Sequence, residues 1–262
     1  MNVLGNMLMT TNLPVNKLQT IDLNADVAEG CGQDIALMNI ISSANVSCGL
    51  HAGSYQHMLE TLKLAKQHNV RVGAHPGFDD RDNFGRTAQQ LPEEECRALI
   101  HYQLGAAKAM CDLVGVKLSY VKPHGALYNQ AAKDEKLAKI IVNAVKNFDP
   151  SLAIMGLSGS YLISVAKAHG LTSISEVFAD RNYESDGSLV ARSKDNALIT
   201  DATQAAQHAL QMITQGIVTS VDGVQVPVEA QSICLHGDSE HAVQFAAEIK
   251  QKLEQQGILI CI

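Results

Sequence analysis

Residues 43–53 read SANVSCGLHAG. A short strand-like run breaks at Gly49, presents His51, and closes at Gly53. The same event recurs at His75 in HPG, His124 in HGA and His236 in HGD, each with a glycine within the next two positions. Glycine at such places lets a chain turn sharply where a strand ends. The other six histidines, His57, His68, His101, His169, His208 and His241, fall in segments of helical period and read as surface or packing residues.

Working outward, the chain holds seven short apolar runs: 20–27, 41–49, 70–75, 117–124, 152–158, 173–180 and 231–238. Between them lie segments of helical period near 55–69, 92–114, 134–147, 159–169, 201–216 and 239–256. Pro92 followed by Glu93, Glu94 and Glu95 marks a helix start, and Gly115, Gly170 and Gly216 mark helix stops. Strands alternating with helices specify a mainly parallel sheet with crossovers. The expectation is an α/β fold, a distorted TIM-like (β/α) barrel of about seven parallel strands. The alternative, an open doubly wound sheet, is weakened because no dinucleotide fingerprint follows the first strand. TSVDGVQVPV (219–228) reads as a hairpin turning at Asp222 and Gly223. With no fixed-period repeat and no Pro/Ser linker, residues 20–262 read as one domain.

Side chains alternate across a strand. Asp22, Asn24 and Asp26 therefore share one face, as do Asn45, Ser47 and His51; Gly73 and His75; Tyr120, Lys122 and His124; Glu176 and Asp180; and Ser232, His236 and Asp238. The fifth run carries no polar face. A barrel lumen is normally filled by branched apolar residues, and active sites sit at its C-terminal end. Ionisable groups buried there must be paired or must bind something. A shared functional pocket follows. Arg86 in NFGR belongs to a loop that could grip an anion, and Tyr128 could cap the pocket or simply pack.

The composition excludes other classes. The chain has 262 residues and a net charge of −7, from 20 basic and 27 acidic side chains, with no basic stripe for nucleic acid. None of the six cysteines has CxxC spacing, which argues for a reduced, cytoplasmic setting and against a zinc knuckle. The first residues lack a basic, then apolar, leader pattern. The most apolar stretch, 98–116, contains His101, Lys108 and Asp112 and is no membrane span. Self-association is left open, since no exposed apolar stripe stands out. Neither a P-loop nor a GxSxG element is present. Acid/base catalysis or metal-assisted addition of water remains. Asp22 or Asp26 with His51, His75 and His124 would suit a divalent ion. A metal-free set, one imidazole as base and another as acid, serves as well and is preferred.

DLNADVAEG, SANVSCGLHAG, GAHPGF followed by NFGR, VKPHGALYN, EVFADRNY and CLHGD also resemble, in order, motifs of the LamB/YcsF family, the A-subunits of 5-oxoprolinase. The resemblance runs from about residue 20 to the end and leaves residues 1–19 as an N-terminal extension. It implies a barrel like those of glycoside hydrolases and polysaccharide deacetylases. It implies ATP-dependent opening of 5-oxo-L-proline to L-glutamate, with ATP as co-substrate and with partner subunits B and C. Its motif positions fall on Asp22, Asn24, Asp26, Glu29, His51, His75, Lys122, His124, Asp180, Arg181, His236 and Asp238. On this reading the four histidines with Asp22, Asp26 and Asp238 are catalytic. Asn24, Glu29, Lys122, Asp180, Arg181 and Arg86 bind substrate, Lys122 and Arg181 holding its carboxylate or a transferred phosphate. Where the family usually has DLNCD and then Gly-Glu, this chain has Ala25 and Ala28, and Ser54 replaces an aspartate after HAG. Two rivals are a stand-alone metal-dependent amidohydrolase or deacetylase acting on acylated carbohydrate, and a non-catalytic protein that binds 5-oxoproline for its partners.

Overall fold

Each of the seven apolar runs forms a strand in the computed structural model, which describes residues 19–235 and 240–261. Residues 1–18 of the expected extension, and His236 and Asp238, lie outside the described residues. The chain begins β1 (Thr20–Val27), α1 (Asp34–Leu37), β2 (Ser43–Ser47), α2 (Tyr55–His68), β3 (Arg71–His75), α3 (Glu93–Val114) and β4 (Leu118–Val121). It continues α4 (Gly125–Lys133), α5 (Glu135–Phe148), β5 (Ala153–Leu157), α6 (Tyr161–Ala168), β6 (Ser173–Phe178) and α7 (Ala202–Gln215). It ends β7 (Ile217–Thr219), β8 (Gln225–Pro227), β9 (Ser232–Cys234), α8 (Glu240–Gln255) and β10 (Leu259–Ile260).

β1 to β6 and then β9 pair in parallel, each with the next, and β9 returns to β1. The seven-stranded barrel is closed, as the strand–helix alternation predicts. β7 and β8 form the expected hairpin, and β10 adds a short parallel strand beside β1.

The alternation of faces is observed. Leu23, Val46, Val72, Val121, Ile154, Val177 and Ile233 are buried in the main core. Each such side chain is worth about 1.5–3 kcal/mol when removed from water. The opposite face fills the lumen with polar groups. Asn45 Nδ2 donates to Asn24 Oδ1 at 2.7 Å and to Asp26 Oδ1 at 2.8 Å, and the Tyr120 hydroxyl donates to Asn45 Oδ1 at 2.6 Å. The Tyr120 ring crosses the barrel over Gly73, where a Cβ atom would lie only 2.2 Å from it. The apolar exception is the fifth strand: Ala153 and Met155 cluster with Tyr120.

The helix ends match the signals in the sequence. Pro92 precedes α3 with Glu93, Glu94 and Glu95 in its first turn, and Gly115 and Gly216 end α3 and α7 with φ of 74° and 66°. The side chains of Ser54, Asp134, Ser160 and Asp201 cap the starts of α2, α5, α6 and α7 by accepting from backbone N–H groups. Two helices are unanticipated, the short α1 and α4. α4 starts directly after His124, so the strand-end signal and the helix start share the same residues. The outer face of α3 also corrects the reading that no apolar stripe is exposed: Tyr102 and Leu113 lie open to solvent. Among the described residues no helix is long and apolar enough to cross a membrane.

Candidate active site

Four consecutive strand ends deliver one group each to a single place. Glu29 follows β1, His51 follows β2, His75 ends β3 and His124 follows β4. One ligand atom from each, three ring nitrogens and a Glu29 carboxylate oxygen, lie within 4.8 Å of one another. Glu29 Oε1 stands 3.1 Å from His51 Nε2, 3.3 Å from His124 Nδ1 and 4.0 Å from His75 Nε2. The His51 and His124 rings stack with centroids 3.8 Å apart, and His75 meets His124 edge-on.

Backbone carbonyls set the orientation of two rings. His75 Nδ1 donates to Lys122 O at 2.7 Å, and His124 Nε2 donates to Phe84 O at 2.9 Å. A neutral imidazole carries one hydrogen. His75 Nε2 and His124 Nδ1 then face each other lone pair to lone pair at 2.9 Å. Such a contact requires a proton or a cation between the two nitrogens. Histidine ligands characteristically place their other N–H on a carbonyl in this way, so the four residues are compatible with a divalent metal.

Glycines make this packing attainable. A Cβ on Gly77 would come within 2.7 Å of the His51 ring, and one on Gly85 within 2.7 Å of His51 Cβ and 2.9 Å of His124 Cδ2. Gln103, reaching out of α3, holds the Gly77 backbone through both its N–H and its C=O. Glu29 is aimed by Ala28, a non-glycine residue at φ +61°.

Behind the imidazoles runs a buried charge network. Lys122 Nζ lies 2.7 Å from Glu176 Oε1, 3.2 Å from Asp26 Oδ1 and 3.1 Å from Asn24 Oδ1. The Tyr128 hydroxyl donates to Glu176 Oε2 at 2.7 Å, and Asp26 Oδ2 meets His75 Nε2 at 3.1 Å. Burial alone would raise the Asp26 carboxyl, but His75 and Lys122 hold it well below the usual carboxylate range. Glu29 is pushed up to about 8, first by burial and then by the Asp26 charge. Burial and the neighbouring His75 depress His51 to about 3 and His124 to about 2. Two neighbouring carboxyls thus have opposite tendencies, the pattern that separates an acid from an ionised partner.

The cluster floors a cavity of about 680 Å³. Leu157, Phe178, Leu189 and Val190 supply apolar wall, and Arg86, Lys133 and Arg192 supply positive charge.

Residues 21–261 match the model of the LamB/YcsF family. This chain belongs to the LamB/YcsF family. The 5-oxoprolinase A-subunit of Histophilus somni is 56% identical over 93% of this chain and 98% of that protein. Its counterpart from Neisseria meningitidis serogroup A is 52% identical over 93% and 99%. The crystal structure of a lactam utilization protein from Thermus thermophilus aligns with a TM-score of 0.86 and 41% identity, covering 93% of this chain and 99% of that one.

The LamB/YcsF motif residues divide into distinct places. Asp26, Glu29, His75, Lys122, His124, Arg86 and Arg181 line the cavity, with His51 stacked behind His124. Asn24 lies beneath Lys122. Asp22 lies elsewhere: it accepts from Ser42, Ser43 and Ser232 and pairs with Arg71 at 2.9 Å. Of the carboxylates expected beside the three histidines, Asp22 lies away from them and Asp26 reaches only His75, at 3.1 Å, whereas Glu29 is the carboxylate grouped with all three. Lys122 is surrounded by protein acceptors, and Arg181 donates to the carbonyls of Val190 and Ala197, holding the loop after β6. Asp180 begins that loop, and its backbone carbonyl accepts from Ile199 N. Glu176 is a site residue that the motifs do not single out, although strand parity puts it in the lumen.

Proposed function

We propose that this chain is the A-subunit of an ATP-dependent 5-oxoprolinase, opening 5-oxo-L-proline to L-glutamate together with subunits B and C. The observation that carries the proposal is the convergence of three imidazoles on Glu29 at the floor of a cavity of about 680 Å³. Relatives above half identity over nearly the whole chain bear the name of that component, which supports the reading.

A lactam amide is a poor electrophile. Phosphorylation of its carbonyl oxygen by ATP gives an imidate-like carbon to which water can add. The ring C–N bond then breaks, the nitrogen takes a proton, and a second water cleaves the resulting acyl phosphate to the carboxylate and inorganic phosphate. The sequence offers no phosphate-cradling loop. Nucleotide handling is therefore assigned largely to subunits B and C, and ring opening to this chain. His75 and His124 are placed to take the proton from water and return it to the nitrogen, with Asp26 orienting His75. Arg86 at the cavity wall suits the substrate carboxylate. In place of that proton transfer, a divalent ion held by Glu29, His51, His75 and His124 would occupy the same ring nitrogens and supply Lewis acidity and a more acidic water.

The test is glutamate release from 5-oxoproline and ATP, with and without subunits B and C, by wild type and His124→Ala. The expected result is turnover only in the full assembly and its loss in the variant. Unchanged turnover by His124→Ala removes the cluster from the mechanism. Hydrolysis without ATP by the chain alone points to the metal-dependent amidohydrolase instead.

A further inference from the structure

We propose that the outer face of α3 is a self-docking surface, on which a second copy of this chain packs with the two α3 helices antiparallel. The inner face of α3 buries Cys96, Ile100, Leu104, Ala107 and Cys111. Helical spacing puts Ala98, Tyr102, Ala106, Ala109 and Leu113 along the opposite side. Tyr102 is 66% exposed and Leu113 71% exposed, while Ala98 and Ala109 also face solvent. No charged residue falls on that line between Glu95 and the end of the helix. Lys108 and Asp112 lie on its flank and pair with each other at 2.6 Å. A helix apolar on both sides is one that is covered on both sides. Among the described residues the main neighbours of α3 are α2, α5, β3 and β4.

The stripe is self-complementary. Tyr102 and Leu113 lie at equal distances from a midpoint flanked by Ala106 and Ala109. An antiparallel pair related by a two-fold axis sets Tyr102 against the second copy's Leu113, and Ala106 against its Ala109. Small residues at the crossing let the two backbones approach.

Charge selects the direction. The first turn of α3 carries Glu93, Glu94 and Glu95. Its last turn carries no basic residue and its Asp112 is paired with Lys108, so the positive charge at that end comes from Lys66 of α2, which caps Val114 O at 2.7 Å, and from Lys117, exposed just beyond the helix. Antiparallel docking brings acidic ends to basic ends, whereas parallel docking opposes like charges. The polar edges of α2 and α5 would form the rim that a stable interface of about 800 Å² per partner needs.

The experiment is light scattering with size exclusion on the full chain at tens of micromolar, with thermal melting to verify folding. Wild type is expected to have the mass of a dimer, and Ala106→Glu half that mass with an intact melting transition. Ala106→Glu mixed with Ala109→Lys is expected to restore the dimer, because the two positions face each other only in the antiparallel pair. A monomeric wild type, or a dimer unmoved by Ala106→Glu, overturns the proposal. So does rescue of Ala106→Glu by Ala106→Lys rather than by Ala109→Lys, which would mean parallel helices. A wild-type monomer whose Ala106→Glu variant loses binding to the B and C components would give the face to those proteins instead.

Discussion

His75 Nε2 and His124 Nδ1 stand 2.9 Å apart, each ring with its other nitrogen on a backbone carbonyl. Two lone pairs held this close form a seat for a proton or a metal ion. Zinc binding measured by calorimetry should give one ion per chain. His75→Ala or Glu29→Gln should weaken it by 10-fold or more, roughly the scale of losing an inner ligand or its orienting partner.

Asp22 should behave differently. Its partners are Arg71 and three serines at the other end of β1. Asp22→Asn should cost about 3 kcal/mol of stability, as when one member of a buried charge network is removed, yet leave zinc affinity unchanged at a temperature where the variant is folded. Weakened metal binding with normal stability would contradict this placement.

Ala28 sits at φ +61°, a conformation that disfavours any side chain with a Cβ. Ala28→Gly should stabilise the chain by about 1 kcal/mol, after allowance for the greater freedom of glycine when unfolded. The urea midpoint should rise with an unchanged slope. A lower midpoint would show that the turn is not strained.

Gly85→Ala places a methyl group 2.7 Å from His51 Cβ and 2.9 Å from the His124 ring, at φ +64°. Overpacking of this kind costs about 1–3 kcal/mol. Here it must also part the stacked rings, so turnover in the proposed assembly with subunits B and C should fall far more than the melting temperature suggests. Gly32→Ala, also at positive φ but with open space around it, is the control for backbone strain alone.

Burial pushes the Cys48 thiol up to about 12 and those of Cys96 and Cys111 to about 11. The thiolate is the reactive form, and a raised pKa makes it scarcer at pH 8. Iodoacetamide at that pH should label the exposed Cys261 first. Cys48, Cys96 and Cys111 should react only after urea is added, and mass spectrometry of the labelled peptides reads the order.

Much of this architecture is legible in the chain itself. The strand runs, the αL glycines ending α3 and α7, and the convergence of His51, His75 and His124 follow from periodicity and strand ends. Depth along the lumen does not. Parity puts Asp22 and Asp26 on one face, but four residues of strand separate them by about 13 Å at roughly 3.3 Å per residue. Glu29 reads as a substrate contact because its approach to the histidines depends on the left-handed turn at Ala28, where alanine gives no hint of positive φ. Glu176 needs the closed barrel itself, since its partner Lys122 comes from two strands away.

The barrel has a division of labour between its halves. β1 to β4 bring the four groups of the cluster, whereas β5, β6 and the loop held by Arg181 bring the apolar wall of Leu157, Phe178, Leu189 and Val190, and β6 adds Glu176 to Asp26 as counter-charge for Lys122. Evolution can therefore reshape the wall, through Leu157, Leu189 or Val190, and alter which amide is admitted while the reacting groups stay untouched. Family members that act on other cyclic amides would differ in the later half of the chain and agree in the earlier one.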